Sequence, residues 1–175
     1  MFSDNSFEYV SIHPDDASFT YRLRSARYDH SCELMISPRP TTLEREREWI
    51  QQMPTQVDRV YFLVKSKADR KPVAYVFLSQ IEMIHRRAYV GIIVDPDCRG
   101  RGIGRAAVRF IVDYATQHLN LRKLYAHVLK DNQASVQLFQ SLGFVAEGTL
   151  TEYHYSCGRY QDVHILGWIR SDGHA

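Results

Sequence analysis

The sequence predicts an α/β fold, and three observations carry that expectation. Short β-branched and aromatic runs recur at Val60 to Lys65, Val73 to Leu78, Ala88 to Val94 and Lys123 to Leu129, and such runs fit a pleated, half-buried surface. Between Ile103 and Ala115 the apolar residues Ile103, Ala106, Ala107, Phe110, Ile111, Tyr114 and Ala115 keep the i, i+3, i+4, i+7 rhythm of an amphipathic helix. A glycine-rich stretch, Arg99 to Gly104, separates the third of those strands from that helix.

Each element has a local cause. Phe7 to Ser11 reads as a short strand, and Pro14-Asp15-Asp16 opens a helix running towards Arg24. Thr41-Thr42-Leu43-Glu44 fits a capping box with Thr41 as the cap, so a second helix runs to about Gln52 before Pro54. With Thr42 as the cap the third helical residue would be Arg45, and the box would fail. The runs from Val60, Val73 and Ala88 follow one another across polar turns, which implies a meander, and Pro96 ends its third strand. Lys123 to Leu129 is a further strand, and Gln133 to Leu142 is a short helix stopped by Gly143. Phe144 to Tyr155 and Tyr160 to Ile169 form a hairpin turning at Cys157-Gly158.

Composition narrows the classes. A chain of 175 residues with 45% apolar content suits one domain, residues 1–175, and is short for two. Its net charge of +2 is spread over alternating signs without a basic stripe, so no nucleic-acid partner is expected. Glu44-Arg45-Glu46-Arg47-Glu48, ahead of Trp49 and Ile50, reads as a solvated helix face. Cys32, Cys98 and Cys157 are odd in number and lack CxxC spacing, which argues against a disulfide framework and against a zinc site, and no metal is expected. A reducing, cytoplasmic location follows. Met1 to Glu8 lacks the apolar core of a signal peptide, and no run reaches the roughly 18 apolar residues of a membrane span, so no membrane partner is expected.

The chemistry is concentrated between Val90 and Arg105, where a buried strand, a glycine loop and a helix start follow in succession. Glycines let the backbone turn with positive φ and present its N–H groups, and a helix N-terminus adds free donors and a favourable dipole. A pyrophosphate would be held there largely by main chain, with Arg99, Arg101 and Arg105 supplying positive charge. A Walker loop would need Gly-Lys-Ser/Thr at its end, yet Gly104 is followed by Arg105 and Ala106. A dinucleotide fingerprint would need GxGxxG directly after the strand, yet the spacing is Gly100-x-Gly102-x-Gly104 and Asp95 to Cys98 intervene. A glycine-rich turn without any ligand is the remaining alternative.

Arg99-x-x-Gly102-x-Gly104 resembles the acyl-CoA-binding motif of the GNAT superfamily of acetyltransferases. The segments Lys123-Leu124-Tyr125-Ala126-His127-Val128, Asn132-Gln133-Ala134-Ser135, Phe139 and Leu142-Gly143-Phe144 are similar to its second motif at the matching separation. Gly148-Thr149-Leu150 and Gly158-Arg159-Tyr160-Gln161-Asp162-Val163 resemble the branch of ribosomal-protein N-terminal and amino-sugar acetyltransferases. The resemblance implies a mixed, mostly antiparallel sheet of six to seven strands flanked by about four helices. At its centre a parallel pair, Ala88 to Val94 and Lys123 to Leu129, would splay to admit the pantetheine arm of acetyl-CoA. It further implies that backbone groups of Ile92, Ile93 and Val94 hold that arm. The pyrophosphate would fall to Arg99, Gly100, Arg101, Gly102, Ile103, Gly104 and Arg105, with Asn132 and Ser135 beside it. Asn132 also suits the cap of the helix from Gln133.

Acetyl transfer to an amine requires a neutral amine, a stabilised oxyanion and a protonated thiolate leaving group. His127 stands where many members of the superfamily carry a glutamate, and a histidine serves as a base near neutral pH; a packed strand histidine is the alternative, and Glu82 is a second candidate base. Phe139 stands where many carry a tyrosine that protonates the thiolate. Ser135, one helical turn earlier, then becomes a candidate donor, beside Tyr153, Tyr155 or solvent. Acceptor recognition is expected from Tyr21 to Trp49, chiefly Arg24, Arg27, Tyr28 and Trp49, together with Tyr153, because arginines beside aromatics suit a phosphorylated, nucleotide-linked or carboxylated amine; structural pairing of these arginines with a neighbouring acidic helix is the equal alternative. A nucleotide-linked amino sugar is the expected acceptor. A peptide N-terminus is the enzymatic alternative, and a polyamine fits less well because Glu44, Glu46 and Glu48 are interleaved with arginines. A non-catalytic acyl-CoA-binding module is the rival of another class. An edge strand near Tyr160 to Ile169 would allow a homodimer.

Overall fold

A computed structural model describes residues 2–25, 41–156 and 158–171. One sheet runs through them in the order β1-β2-β3-β4-β5-β6-β8-β7. Its strands are β1 (Phe2–Ser3), β2 (Phe7–Ser11), β3 (Val60–Ser66), β4 (Pro72–Glu82), β5 (Arg87–Val94), β6 (Lys123–Leu129), β7 (Val145–Ser156) and β8 (Arg159–Ile169). The helices are α1 (Ala17–Ser25), α2 (Leu43–Gln52), α3 (Ile103–Gln117) and α4 (Gln133–Gln140). Eight strands replace the expected six to seven. The extra one, β1, is two residues long and carries no readable period. It is anchored by the Phe2 ring, whose centroid lies 5.9 Å from that of Phe62 and 5.6 Å from those of Phe110 and Tyr114.

Two further expectations are corrected. The cap of α2 is Thr42, whose hydroxyl accepts the Arg45 N–H at 3.3 Å, so the Thr41 capping box does not form. The hairpin strand from Arg159 to Ile169 is interior, flanked by β6 and β7, and β7 is the edge strand at that end of the sheet.

Strand alternation sorts the core onto two faces of the sheet. Val90, Ile92 and Val94 of β5 and Leu124, Ala126 and Val128 of β6 point to the face covered by α3 and α4, with Ala107, Val108, Ile111, Val136 and Phe139 packed over them. Leu63, Tyr75 and Ile93 point to the opposite face, under Phe19 and Leu23 of α1. Each fully buried Leu, Ile or Val contributes about 1.5–3 kcal/mol relative to exposure, so the face under α3 carries much of the stability. Every strand pair is antiparallel except β5 with β6, which is parallel and closes only at Arg87–Lys123, Ala88–Leu124 and Tyr89–Tyr125. Beyond that rung the two strands are no longer paired, and a gap opens towards their C-terminal ends.

Candidate active site

The loop after β5 is built from backbone conformation. Asp95 is buried, 5% exposed, and accepts the Asp97 N–H at 3.2 Å, closing a turn over Pro96–Cys98. Its carboxylate is also gripped by Arg22 of α1, from Nη1 at 3.2 Å and Nη2 at 2.5 Å. Burial pushes the Asp95 carboxyl up, but the Arg22 guanidinium and the Asp97 N–H outweigh burial and hold it below the usual 3.8. Gly100 and Gly102 follow, each at φ +76°, in the left-handed region that residues with a Cβ enter at a cost. A Cβ at either would meet nothing within 4 Å, so conformation and not room is what demands glycine there. Gly102 is the N-cap of α3 and offers no side-chain cap to the N–H groups of its first turn. Gly104 serves a different purpose: a Cβ on it would lie 3.1 Å from Cδ2 of Leu138, so it lets α3 and α4 approach.

On the other wall, Asn132 caps α4 by accepting the Ser135 N–H at 3.0 Å. Between loop and cap lies a cavity of about 450 Å³, lined by Ile92, Ile93, Val94, Cys98, Arg99, Gly100, Gly102, Ile103, Gly104, Asn132 and Ser135 among others. That is the size range of small-molecule sites. The expected donor residues therefore converge, except that Arg101 is exposed outside the lining and Arg105 lines the neighbouring cavity between α3 and the β1–β2 turn.

The opposite face of the splay carries an aromatic cleft of about 420 Å³, formed by Arg24, Trp49, Arg59, Tyr61, Tyr75, Phe77, Ser79, Gln80, Tyr89, His127 and Tyr153. Its floor follows from register. Tyr61 opposes Phe77 across β3 and β4, and Phe77 opposes Gly91 across β4 and β5. A Cβ on Gly91 would collide with the Phe77 ring, so this glycine is the space the ring occupies. Beside it β4 bulges between Ser79 and Glu82, with Gln80 at φ +51°, and the Tyr125 hydroxyl donates to Gln80 Oε1 at 2.6 Å. Bulges re-aim side chains in this way near functional sites. At the rim the Arg24 guanidinium lies 4.6 Å from the Trp49 ring centroid and donates to buried Glu46 at 3.0 Å. Arg59 lies 3.6 Å from Asp58.

His127 is half-buried in this cleft, with ring centroids of Tyr89 at 5.6 Å and Tyr153 at 6.1 Å. Burial lowers its pKa below 6.5, so the ring is neutral at neutral pH. Glu82 lines neither cavity; both of its oxygens accept from Arg87, at 3.0 and 3.1 Å. Ser135 lies on the donor side. Phe139 is 3% exposed and packs edge-on against Phe144 at 5.0 Å, a core residue. Arg27 and Tyr28 lie outside the described residues. Sequence reasoning missed Tyr61, Tyr75, Phe77, Ser79 and Tyr89. Their odd-numbered positions on successive strands were a signal, but it becomes readable only once the register is known.

The acetyltransferase (GNAT) family model matches residues 23–144. Over 108 residues the chain is 40% identical to spermidine N(1)-acetyltransferase of Vibrio cholerae, a stretch covering 62% of each protein. Over 97 residues it is 34% identical to spermidine N(1)-acetyltransferase of Escherichia coli, covering 55% of this chain and 52% of that protein. The chain thus matches between about half and 62% of the length of these relatives. The crystal structure of the Vibrio cholerae spermidine N-acetyltransferase in complex with CoA and spermine superposes with a TM-score of 0.88 at 29% identity, over 96% of this chain and 98% of that one. A dodecameric structure of the Vibrio cholerae enzyme superposes with a TM-score of 0.84 at 28% identity, over 96% of both chains.

Proposed function

The chain belongs to the GNAT family of acetyltransferases, and from that premise we propose that it moves the acetyl group of acetyl-CoA to a primary amine. The observation that carries this reading is the splay: β5 and β6 part beyond Tyr89–Tyr125, with a cavity at a helix start on one face and an aromatic cleft on the other. Acetyl-CoA, as acyl donor, supplies the thioester. The first-turn N–H groups of α3, with Gly100 and Gly102, suit its pyrophosphate, and Arg99 adds charge. The β6-facing edge of Ile92 to Val94 suits the pantetheine arm, and an N–H there stabilises negative charge growing on the carbonyl oxygen. His127, neutral because it is buried, takes the proton that the amine sheds. Ser135 lines the donor wall.

The acceptor class rests on charge. Among the described residues no carboxylate lines the aromatic cleft, and its two cations, Arg24 and Arg59, each have a carboxylate of their own. A polycation would find little to pair with, whereas an amine on a neutral or anionic body fits rings and guanidinium groups together. A nucleotide-linked amino sugar meets that description, and so does a peptide N-terminus. A polyamine is the second reading, favoured by the spermidine acetyltransferases among the relatives. Three cysteines without CxxC spacing suit a reducing, cytoplasmic setting. No helix among the described residues is long and apolar enough to cross a membrane.

Thiol release from acetyl-CoA, measured with a UDP-linked amino sugar, an N-terminal tetrapeptide and spermidine, tests the reading. Turnover on the first or second above the third is the expected result. Preference for spermidine would move the acceptor to the polyamine class. Thermal stabilisation by acetyl-CoA without thiol release from any amine would instead mark a binding module.

A further inference from the structure

Collapse of the thioester leaves a thiolate that needs a proton. Phe139 has none to give and is sealed in the core, 3% exposed. The geometry of the gap points to another residue. An extended arm lying between β5 and β6 enters from their open, C-terminal ends, so its reactive end stops near the last closed rung, Tyr89–Tyr125. Tyr89 stands at that vertex. Its ring is half-buried on the floor of the aromatic cleft, edge-on to Tyr125 at 5.8 Å and 76°, and to His127 at 5.6 Å and 80°. Its phenol lies beside the backbone of His127, one alternation past the rung on β6. The phenol therefore sits against β6 where pairing with β5 has ceased, in the cleft that holds His127.

We propose that Tyr89 is the general acid of the acetyl transfer, donating its phenolic proton to the departing thiolate. The proposal rests on the acetyl-transfer reading above and adds the residue that completes its proton balance. The amine nitrogen forms the C–N bond, and the electron pair of the C–S bond leaves with sulfur. The nitrogen proton passes to the His127 imidazole, and the Tyr89 proton passes to sulfur. The Tyr89 phenolate then regains a proton from the imidazolium through solvent in the cleft, so one proton has moved in net from amine to thiol. Burial pushes the Tyr89 phenol up to about 12, so the proton is present throughout the working pH range.

The test compares wild type with Tyr89→Phe, which keeps the ring, using acetyl-CoA with the UDP-linked amino sugar and with spermidine. Calorimetry with acetyl-CoA runs in parallel. The expected result is a fall in kcat of about 10²-fold or more with acetyl-CoA affinity unchanged. Incorporating 3-fluorotyrosine at position 89, a more acidic phenol, is expected to restore turnover and to bring an alkaline limb into the kcat–pH profile that wild type lacks; a merely structural hydroxyl would not shift that profile. Unchanged turnover in Tyr89→Phe would overturn the role while leaving acetyl transfer intact. So would a loss matched by lost acetyl-CoA affinity, or a fluorinated enzyme with the wild-type profile. A wild type that releases no thiol with either amine would sink the acetyl-transfer reading, and this role with it.

Discussion

The donor cavity and the aromatic cleft lie on opposite faces of the same two strands, yet they are made differently. The donor side is contiguous: Ile92 to Gly104 supply most of it, and its shape comes from backbone torsions at Gly100 and Gly102 and from a helix start. The cleft is assembled from side chains of α1, α2 and five strands, spaced from Arg24 to Tyr153. A site made of main chain tolerates side-chain change but not torsional change; a site made of side chains is the reverse. That difference teaches where binding of a shared donor and selection of an acceptor reside.

The sharpest way to break the comparison is at Gly102. Gly102→Leu forces a branched residue to φ +76°, at a local cost of about 1–2 kcal/mol. It also sets a side chain beside the N–H groups of α3. Acetyl-CoA affinity by calorimetry is expected to fall about 100-fold or more, with acceptor specificity unaltered; retained affinity would displace the donor site. Next in size is His127→Ala, expected to lower kcat by about 10²-fold. Because burial lowers the His127 pKa, the wild-type acid limb of kcat/KM should lie below pH 6.5, where protonation removes the base. That limb should flatten in the variant, and an unaltered profile would remove His127 as the base.

A smaller effect is expected at the cleft rim. Trp49 carries the Arg24 guanidinium at 4.6 Å and meets Tyr61 edge-on at 5.3 Å. Trp49→Ala should raise the acceptor KM about tenfold, the equivalent of one cation–π contact and its packing. The KM for acetyl-CoA should not move; a change in the donor KM alone would place Trp49 on the wrong side of the sheet. Smallest is Arg22→Ala. It strips buried Asp95 of its guanidinium, but Arg22 is half-exposed, so about 1 kcal/mol of stability by urea unfolding is expected. The carboxylate's folded pKa lies below its unfolded value, so its stabilisation is complete above about pH 4 and is lost as pH falls through the folded value. In Arg22→Ala that acid-dependent component should shrink, and an identical pH dependence of unfolding would show that the pair contributes nothing.

The same contrast explains what the sequence disclosed. Strands β2 to β8 and helix α3 were legible because alternation and the 3.6-residue rhythm are local, and the glycine loop was legible because torsional demands are written in consecutive residues. The cap of α2 was misread at Thr41 because two adjacent threonines offer the same hydroxyl, and only the chain's path decides which one meets Arg45. β1 escaped because two residues show no period, its place being set by the Phe2 ring among Phe62, Phe110 and Tyr114. The cleft was half legible. Trp49, Arg24, His127 and Tyr153 stood out by type, whereas Tyr61, Tyr75, Phe77 and Tyr89 looked like ordinary strand residues until register put them on one face. Glu82 was a reasonable candidate base by type, and it is the bidentate grip of Arg87 that turns it elsewhere.

The central claim is that two cavities meet across one gap, so donor and acceptor must be present together. Initial-rate kinetics with acetyl-CoA and amine both varied tests this most directly. Direct transfer across the splay predicts reciprocal plots that intersect. Parallel lines would contradict it, because they would mean that the acetyl group first moves onto the protein, with half-buried Cys98 in the donor cavity as the residue to examine.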